Sequence, residues 1–360
     1  QTCAQALPFC EISGSCLAID VKDTDNMMKY DNVNAHMPEE KLQNLEQQRS
    51  LLKGKHLRIR TLDIFLRGCG FFTFPLMVMN QLLVAKRHDL IGDKKPIVYM
   101  PENHHYFECY KTEEEQRNNP DFWEKWFEPV GDISWREVNE SDVWEFTQES
   151  IETMYYDGTG IHAYPYDAED DLATPEWLQG HRDRAATVMK EFIEVKPSLI
   201  KEAEDFYVAE FGDFEKPVVG LHMRGTDKFV TGKVDPMEYV TEANKFISAH
   251  KDAKIFLATD DANYLKLMKD TYKESLVSRP AMRDAKNVLY NDHVDKDAKS
   301  KEVLMDALVL ALTSALVKCW SGVSEFSVYF RQAWNEKSEF EAITDLQIGD
   351  GGDAHPKQKS

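Results

Sequence analysis

The sequence predicts an α/β protein whose second half forms a parallel, doubly wound sheet. Short apolar runs rich in β-branched residues occur at 218–223, 254–258 and 315–317, and each has the length of a buried strand. A helical pattern follows each run, and strands that alternate with helices form parallel sheets. With 360 residues the chain is long for one domain, so we expect two.

Composition and charge exclude several classes of function. Hydrophobic residues make up 42% of the chain and aromatic residues 11%, which is enough to build substantial cores. The net charge of −20 argues against a nucleic-acid partner, because phosphate backbones require a basic surface. No uninterrupted apolar segment is long enough to span a bilayer. The sequence begins at Gln1 without a methionine, so we expect room for a signal or membrane anchor upstream.

The cysteine pattern leaves two interpretations open. None of the spacings matches a CxxC zinc or redox site. The cysteines form disulfides in a secretory lumen, or they are buried thiols. Asn139-Glu140-Ser141 is an acceptor sequon for N-glycosylation, although one match in a chain of this length is close to chance. The six cysteines are Cys3, Cys10, Cys16, Cys69, Cys109 and Cys319.

The first half is predicted to begin irregularly and then to form α/β structure. Residues 1–50 show no obvious core, whereas a glycine-rich turn at Gly70 opens an apolar helix that runs through Val84. A strand at 96–100 follows. Two interpretations of Gly70 stay open: the exposed N–H groups at the helix start bind an anion, or the glycine allows close helix packing.

The other predicted helices connect the two halves and cover the second sheet. A helical pattern from 182 to 211 is interrupted at Pro197. Asp235-Pro236 has the form of a cap and first-turn residue, so a helix is expected from about 237. Further helices are expected at 262–273 and 301–312, and a last one ends at Trp334.

The strand at 218–223 ends in a cluster of polar and charged residues. In open α/β sheets, ligands bind beyond the carboxyl ends of the strands. An arginine fork matches a phosphate bidentately, and a lysine adds a mobile charge. The alternative is a solvated turn with an Arg–Asp ion pair. The cluster comprises His222, Arg224, Asp227 and Lys228.

A second group of polar residues, Thr259, Asp260 and Asp261, follows the strand at 254–258. The two carboxylates have three interpretations: a divalent metal site, acceptors for ribose hydroxyls, or a cap for the next helix. Capping is the default for one of the two, and Thr259 is expected to share in it.

Asp306 is a lone carboxylate inside an otherwise apolar helix. Burying a carboxylate is costly unless something satisfies it. One interpretation is a structural contact with backbone amides or a buried arginine. The other is an acceptor for a donor-rich ligand edge, such as the N1–H and amino group of guanine.

Taken in order, these motifs resemble the catalytic core of the α1,6-/O-fucosyltransferase superfamily, most closely its α1,6-fucosyltransferase and nodulation-type branch. The similarity extends over roughly 64–335 and implies a GT-B-like α/β fold of two Rossmann-like lobes with a donor cleft between them. The matching positions are 68–71, Tyr106, 123–129, 222–228, 258–261, Asp306 and 320–324.

The resemblance implies an inverting, metal-independent transfer of a sugar, fucose in the family, from a GDP-sugar to a glycan or glycoprotein, with no separate cofactor. Arg224 would bind the β-phosphate, Asp306 would read guanine, and Ser321 or Ser324 would support the pyrophosphate. His222 would line the nucleotide pocket. The other donor-binding positions implied are Gly70, Tyr106, Thr259, Asp260 and Asp261.

The same resemblance implies that Arg224 and Lys228 stabilise the negative charge of the departing diphosphate. It also implies that Asp227 orients Arg224. Two departures matter. Gly225 stands where the α1,6 enzymes have a second arginine, and no carboxylate matches the family's glutamate base.

A general base must accept the proton of the acceptor hydroxyl. The candidates are Asp227, Asp235 and Glu102, with Asp235 slightly preferred over Glu102.

The predicted organisation is an acceptor-side lobe at 1–205, a donor-binding lobe at 206–345 and a disordered tail at 346–360. The resemblance implies the Golgi lumen and a single-pass type II membrane protein at full length. Two alternatives remain. One is an inert GDP-sugar or glycan-binding module of the same fold, and the other is a metal-dependent GT-A transferase that uses Asp260 and Asp261.

Overall fold

Two parallel sheets form the framework of the protein, which we describe from a computed structural model. The predicted α/β class with parallel sheets is confirmed. The structure describes residues 43, 47, 50–60, 70–87, 89–100, 121–145, 161, 175–225, 233–283, 295–334 and 339–346.

The first half contains a three-stranded sheet with the order β2-β1-β3, in which both neighbours pair with β1 in parallel. Its elements are β1 (His56–Ile59), α1 (Thr73–Arg87), β2 (Ile97–Val98), α2 (Trp123–Trp126) and β3 (Val143–Glu145). Short 3₁₀ helices span Val130–Asp132, Trp135–Glu137 and Glu140–Asp142.

The second half contains a five-stranded parallel sheet with the order β6-β5-β4-β7-β8. Two helices, α3 (Pro175–Phe192) and α4 (Pro197–Phe211), precede it. The sheet and its helices comprise β4 (Val218–Met223), α5 (Pro236–Ala249), β5 (Lys254–Thr259), α6 (Ala262–Tyr272), β6 (Leu276–Val277), α7 (Lys296–Leu312), β7 (Ala315–Lys318), α8 (Gly322–Trp334) and β8 (Ala342–Asp345). A 3₁₀ helix spans Lys273–Ser275.

Side-chain caps explain where three helices of the second half begin. The carboxylate of Asp235 accepts from the N–H of Met237 at 2.9 Å, and Asp261 caps α6 in the same way. Asp295 accepts from two backbone N–H groups of α7. This cap starts α7 five residues before the predicted position, because its first turn is polar and the apolar pattern begins later.

Helix α7 packs closely on the centre of the second sheet. Successive residues of a strand point to opposite faces, so Gly220 and His222 of β4 share the face that α7 covers. A Cβ at Gly220 would lie 2.8 Å from Oγ1 of Thr313 and 2.9 Å from Cδ2 of Leu310. The glycine therefore allows α7 to approach β4, which places Asp306 on the same face as His222.

A buried network of four charges ties α3 to the second sheet. Lys318 at the end of β7 lies 2.7 Å from carboxylate oxygens of both Glu325 and Asp345. Arg182 of α3 donates to Glu325 at 2.8 and 3.2 Å, and to both oxygens of Asp345 at 3.0 Å. Lys318 and Glu325 have no exposed side-chain surface. We call these four residues the buried charge network.

The two halves also share apolar packing. Phe72 at the start of α1 stacks on Phe326 of α8 with ring centroids 4.6 Å apart. The predicted lobe boundary at 205/206 falls inside α4, and the lobe division stays a prediction. Leu346, the first residue of the predicted tail, is buried and donates its N–H to the carbonyl of Lys318. Within the described ranges, no helix is both long enough and apolar enough to cross a bilayer.

Candidate functional site

The carboxyl ends of β4 and β5 bring Arg224 and Asp260 together. The two strands are paired up to Met223 and Thr259, so the next residue of each emerges at the same edge. Nε of Arg224 lies 3.2 Å from Oδ2 of Asp260, and the N–H of Gly225 donates to Oδ1 at 2.8 Å. Asp260 thus holds both the guanidinium and the backbone of the loop that follows β4.

Asp261 has a different role from its neighbour. Its carboxylate caps α6 by accepting from the N–H of Asn263 at 2.8 Å, and it lies 3.7 Å from Nζ of Lys233. The hydroxyl of Thr259 accepts from the N–H of Asp261 and donates to the carbonyl of Met223. One aspartate therefore caps a helix, as expected, while the other holds Arg224.

This arrangement bears on the metal interpretation of the two aspartates. Each carboxylate already faces a cation of the protein, Arg224 or Lys233, and each accepts a backbone N–H. No cluster of three or more His, Cys, Asp or Glu side chains suited to a metal occurs in the part of the chain that the structure describes. The geometry fits an arginine-positioning role for Asp260.

The space around Gly225 explains why this position holds no second arginine. A Cβ at this position would lie 2.6 Å from both Cβ and Oδ2 of Asp261. Real Cβ atoms do not approach so closely, so any side chain at 225 would force the loop or α6 to shift. The loop conformation and a second arginine are therefore incompatible in this chain.

Asp306 lies in the middle of α7 with 13% of its side chain exposed. Among the described residues, its carboxylate has one contact, from Nη1 of Arg279 to Oδ1 at 3.5 Å. Burial raises the pKa of Asp306 to about 6, although the charges of Arg279 and Arg283 act to lower it. A carboxylate offers about four acceptor positions, so Asp306 retains most of its acceptor capacity.

Two arginines that sequence reasoning missed link this carboxylate to the β5 edge. Arg283 donates to the carbonyls of Thr259 at 3.0 Å, Arg279 at 2.8 Å and Ala281 at 3.3 Å. Burial lowers the pKa of Arg283. The segment between the two arginines therefore spans from the end of β5 to Asp306. Both arginines follow β6, and polar residues that follow a strand indicate a ligand site. Because β6 has only two residues, the sequence pattern of a strand is too short to indicate this.

The other predicted residues of the second half surround this edge. His222 is buried in β4, and its strand neighbour in the register is Lys318 of the buried charge network. Ser324 is fully buried and donates to the carbonyls of Cys319 and Ser321, so its hydroxyl fixes the start of α8. Ser321 is buried between β7 and α8, after the carboxyl end of β7, which faces the same edge.

The remaining candidates are a helix cap, an exposed glycine and residues outside the described part of the chain. Asp235 is exposed and caps α5, and Gly70 is exposed three residues before α1. Glu102, Tyr106, Asp227 and Lys228 lie outside the described residues. Cys319 is a buried free thiol, while the other five cysteines also lie outside the described residues.

Comparison with known proteins gives likeness only at the level of solved structures. No family model matches the chain, and no curated protein matches its sequence. NodZ α-1,6-fucosyltransferase co-crystallised with GDP is 15% identical, with a TM-score of 0.43 over 77% of this chain and 91% of that one. Fucosyltransferase NodZ from Bradyrhizobium has the same identity and TM-score over 77% and 92%. POFUT1 in complex with GDP-fucose is 9% identical, with a TM-score of 0.41 over 82% and 98%.

All three TM-scores lie below 0.5. The fold is therefore assigned from the strand order of this chain, and its chemistry from the residues at the sheet edge.

Proposed function

We propose that the chain is an inverting, metal-independent glycosyltransferase that transfers fucose from GDP-fucose to a glycan or glycoprotein. One observation carries the proposal. An arginine held by Asp260 lies at the carboxyl ends of β4 and β5, and the segment of Arg279 and Arg283 links this edge to a mostly buried carboxylate, Asp306, whose Oδ2 accepts no hydrogen bond from the described residues. A phosphate-binding cation and an acceptor for a base edge are the two groups that a GDP-linked donor requires.

Arg224 would bind the diphosphate. Its guanidinium is planar and matches phosphate oxygens bidentately, and Asp260 restricts its orientation through Nε. As the sugar leaves, negative charge grows on the diphosphate. A cation fixed beforehand stabilises that charge without reorganisation. Lys228 is proposed to supply a second cation.

Asp306 would bind the base. The Watson–Crick edge of guanine presents two adjacent N–H donors, and an ionised carboxylate accepts both. Uracil lacks this donor pair, so the same contact would favour GDP over UDP. Because the side chain is mostly buried, these charge-assisted bonds would form with little competition from water.

A thermal-shift panel tests donor binding, because a ligand that binds only the native state raises the melting temperature. The panel contains GDP-fucose, GDP-mannose, GDP, UDP and UDP-sugars. We expect the guanine nucleotides to stabilise the chain and the uracil nucleotides to have little effect. Equal shifts for both classes, or none, would contradict the proposal. Full transfer activity in chelator would support the metal-independent mechanism, and its loss would favour the GT-A alternative.

The general base remains a proposal that mutation can test. Asp235 is favoured over Glu102, and Asp235→Asn isolates its chemistry because asparagine caps helices as well as aspartate does. If Asp235 is the base, this variant should lose transfer by about 100-fold or more while it binds GDP and unfolds like the wild type. If Glu102→Gln shows that loss instead, the base is Glu102. If neither does, both assignments are wrong.

A GDP-sugar-binding module without transfer activity is the second candidate. The observation that favours it is that Asp235, the base candidate among the described residues, is engaged as a helix cap. Release of fucose from GDP-fucose in water separates the two functions, because active glycosyltransferases usually hydrolyse some donor. Donor binding without detectable release or transfer would favour the module.

We also propose that the protein resides in the Golgi lumen and contains disulfides. Asn139 of the sequon is exposed and immediately precedes the short helix Glu140–Asp142. Expression through the secretory pathway should give a mass shift that Asn139→Gln removes. A chain that passes the endoplasmic reticulum without modification would weaken the case for this compartment.

A further inference from the structure

The contact between Arg279 and Asp306 is long and involves one of the two carboxylate oxygens. Nη1 of Arg279 lies 3.5 Å from Oδ1 of Asp306 and 3.4 Å from the carbonyl of Glu302. Both distances are at the limit of hydrogen bonding, so the arginine supplies charge more than a directed bond. The guanidinium also lies 5.8 Å from the centre of the Phe206 ring, which limits where it can move.

The two arginines near Asp306 are held differently. Arg283 is fixed by three backbone carbonyls at 2.8–3.3 Å, so it stabilises the loop and cannot turn toward the carboxylate without breaking those bonds. Arg279 has only the two long contacts in the described part of the chain, together with its position over Phe206. Arg279 is therefore the group whose charge is placed for Asp306.

We propose that Arg279 is a positioning residue for base recognition: it holds Asp306 in its charged, acceptor form from the Oδ1 side and leaves Oδ2 for the guanine donors. This inference rests on the proposed function, since it assumes a guanine nucleotide. Arg279 and the base then bind Asp306 together rather than compete for it. The sugar and phosphate groups have no part in this step.

Other ionisable groups near Asp306 can also affect the pH dependence of GDP binding, and the experiment must control for them. Arg279 and Arg283 come from the segment after β6, and Glu302 comes from α7 itself. His222 lies on the sheet face that α7 covers. The terminal phosphate of GDP also titrates near pH 6.

The test is calorimetric titration of the full chain with GDP between about pH 5 and about pH 8. The variants are Arg279→Gln, Arg279→Lys and Asp306→Asn. Arg331→Gln is a matched control, because Arg331 is a partly buried arginine that donates to backbone carbonyls at the end of α7, those of Ala311 and Thr313, rather than to Asp306. The pH dependence that remains in Asp306→Asn measures the contributions of His222 and the phosphate.

We expect wild-type affinity to fall as the pH drops through the Asp306 pKa of about 6. In Arg279→Gln the pKa of Asp306 should rise, because an opposite charge nearby lowers a carboxyl pKa by about 1–3. Affinity at pH 7 should then be about two- to a hundredfold weaker and should recover at higher pH. Arg279→Lys should restore most of the wild-type profile, and Arg331→Gln should match the wild type.

Two results would overturn the inference: an unchanged pH profile in Arg279→Gln, or a loss of affinity that is equal at every pH. Either result can be recognised only if the wild type binds GDP. Wild-type protein that binds no GDP would instead refute the proposed function, and the two failures are therefore distinct.

Discussion

Glu325 and Asp306 are both carboxylates inside largely apolar helices, and the structure treats them in opposite ways. Glu325 of α8 has no exposed side-chain surface and is bonded to Arg182 and Lys318 at 2.7–3.2 Å. Asp306 of α7 is 13% exposed and, among the described residues, its carboxylate has one polar contact, at 3.5 Å. Burial is nearly the same, but the number and length of the bonds differ.

The pKa values express this difference. The charges of Lys318 and Arg182 outweigh burial and lower the pKa of Glu325 to about 2. At Asp306 burial outweighs the arginines, and the pKa rises to about 6. A carboxylate whose desolvation is fully compensated stabilises the fold, whereas one that is under-compensated is a candidate for binding a ligand.

The largest effect is expected from Glu325→Gln. Removal of this charge leaves the buried cations Lys318 and Arg182 with Asp345 as the one remaining acid of the network, which should lower the free energy of unfolding by about 3–5 kcal/mol. Urea unfolding at pH 7 measures it. Glu341→Gln is the control, because the Glu341 side chain is 54% exposed and lies 2.8 Å from Nε2 of His250, and the change should alter stability by less than about 1 kcal/mol. A similar loss of stability in both variants would contradict the stabilising role of the buried charge network.

Arg224→Lys tests the cation at the sheet edge. Lysine keeps the charge but loses the planar fork, and charge on the leaving group is greatest in the transition state. Turnover should fall by about 100-fold, with a smaller loss of GDP affinity. Single-turnover kinetics and calorimetry separate the two quantities. Wild-type turnover in this variant would exclude Arg224 from the mechanism.

Asp306→Asn should affect binding rather than folding. The amide NH₂ would face the donors of guanine, and loss of the charge-assisted contact should cost about 1.5–3 kcal/mol in GDP affinity. Selectivity for GDP over UDP should fall with it. Stability at pH 7 should not decrease as it does in Glu325→Gln, because a poorly compensated charge is removed. A folded variant with unchanged GDP affinity would give Asp306 a structural role.

The smallest effect is a difference in pH dependence. The pKa of Glu325 is lowered, so its stabilisation is present above pH 4.5 and is lost as the pH falls towards 2. The pKa of Asp306 is raised, so the cost of its buried charge is present above pH 6 and disappears as the pH falls towards 3.8. Unfolding free energies across this range should show the first change abolished by Glu325→Gln and the second by Asp306→Asn. If the unfolding free energy depended on pH identically in the two variants, the assignment of the two changes to Glu325 and Asp306 would be wrong.

Local pattern was sufficient to predict the centre of the second sheet. Strands β4, β5 and β7 are apolar, β-branched runs with polar ends, and the structure places each within a residue of its predicted limits. The expected breaks at Pro197 and Asp235 also occur. Strands β1 and β8 were missed because they are short and mix polar with apolar residues, so their pairing partners decide their conformation.

The sequence predicts a site residue when the local pattern around that residue is unusual. It does not predict pairs of residues that are far apart in the sequence. Asp306 was identified as a lone carboxylate in an apolar helix, and the same signal at Glu325 was overlooked. Its arginine partner is 143 residues away, so no local pattern shows whether such a carboxylate is compensated. The contact of Arg279 with Asp306 and the pairing of Arg224 with Asp260 likewise join elements that are separate in the sequence.

The position of Arg182 has a consequence for how the chain can be divided. A fragment that starts at 206 would retain Lys318, Glu325 and Asp345 but lose the guanidinium that bonds both acids. Such a fragment would be left with an unbalanced negative charge in its interior. We expect the smallest autonomous folding unit to begin before α3, so that the boundary for folding lies upstream of the boundary for donor binding. A split protein cut between α2 and α3 should therefore reassemble more readily than one cut at 205.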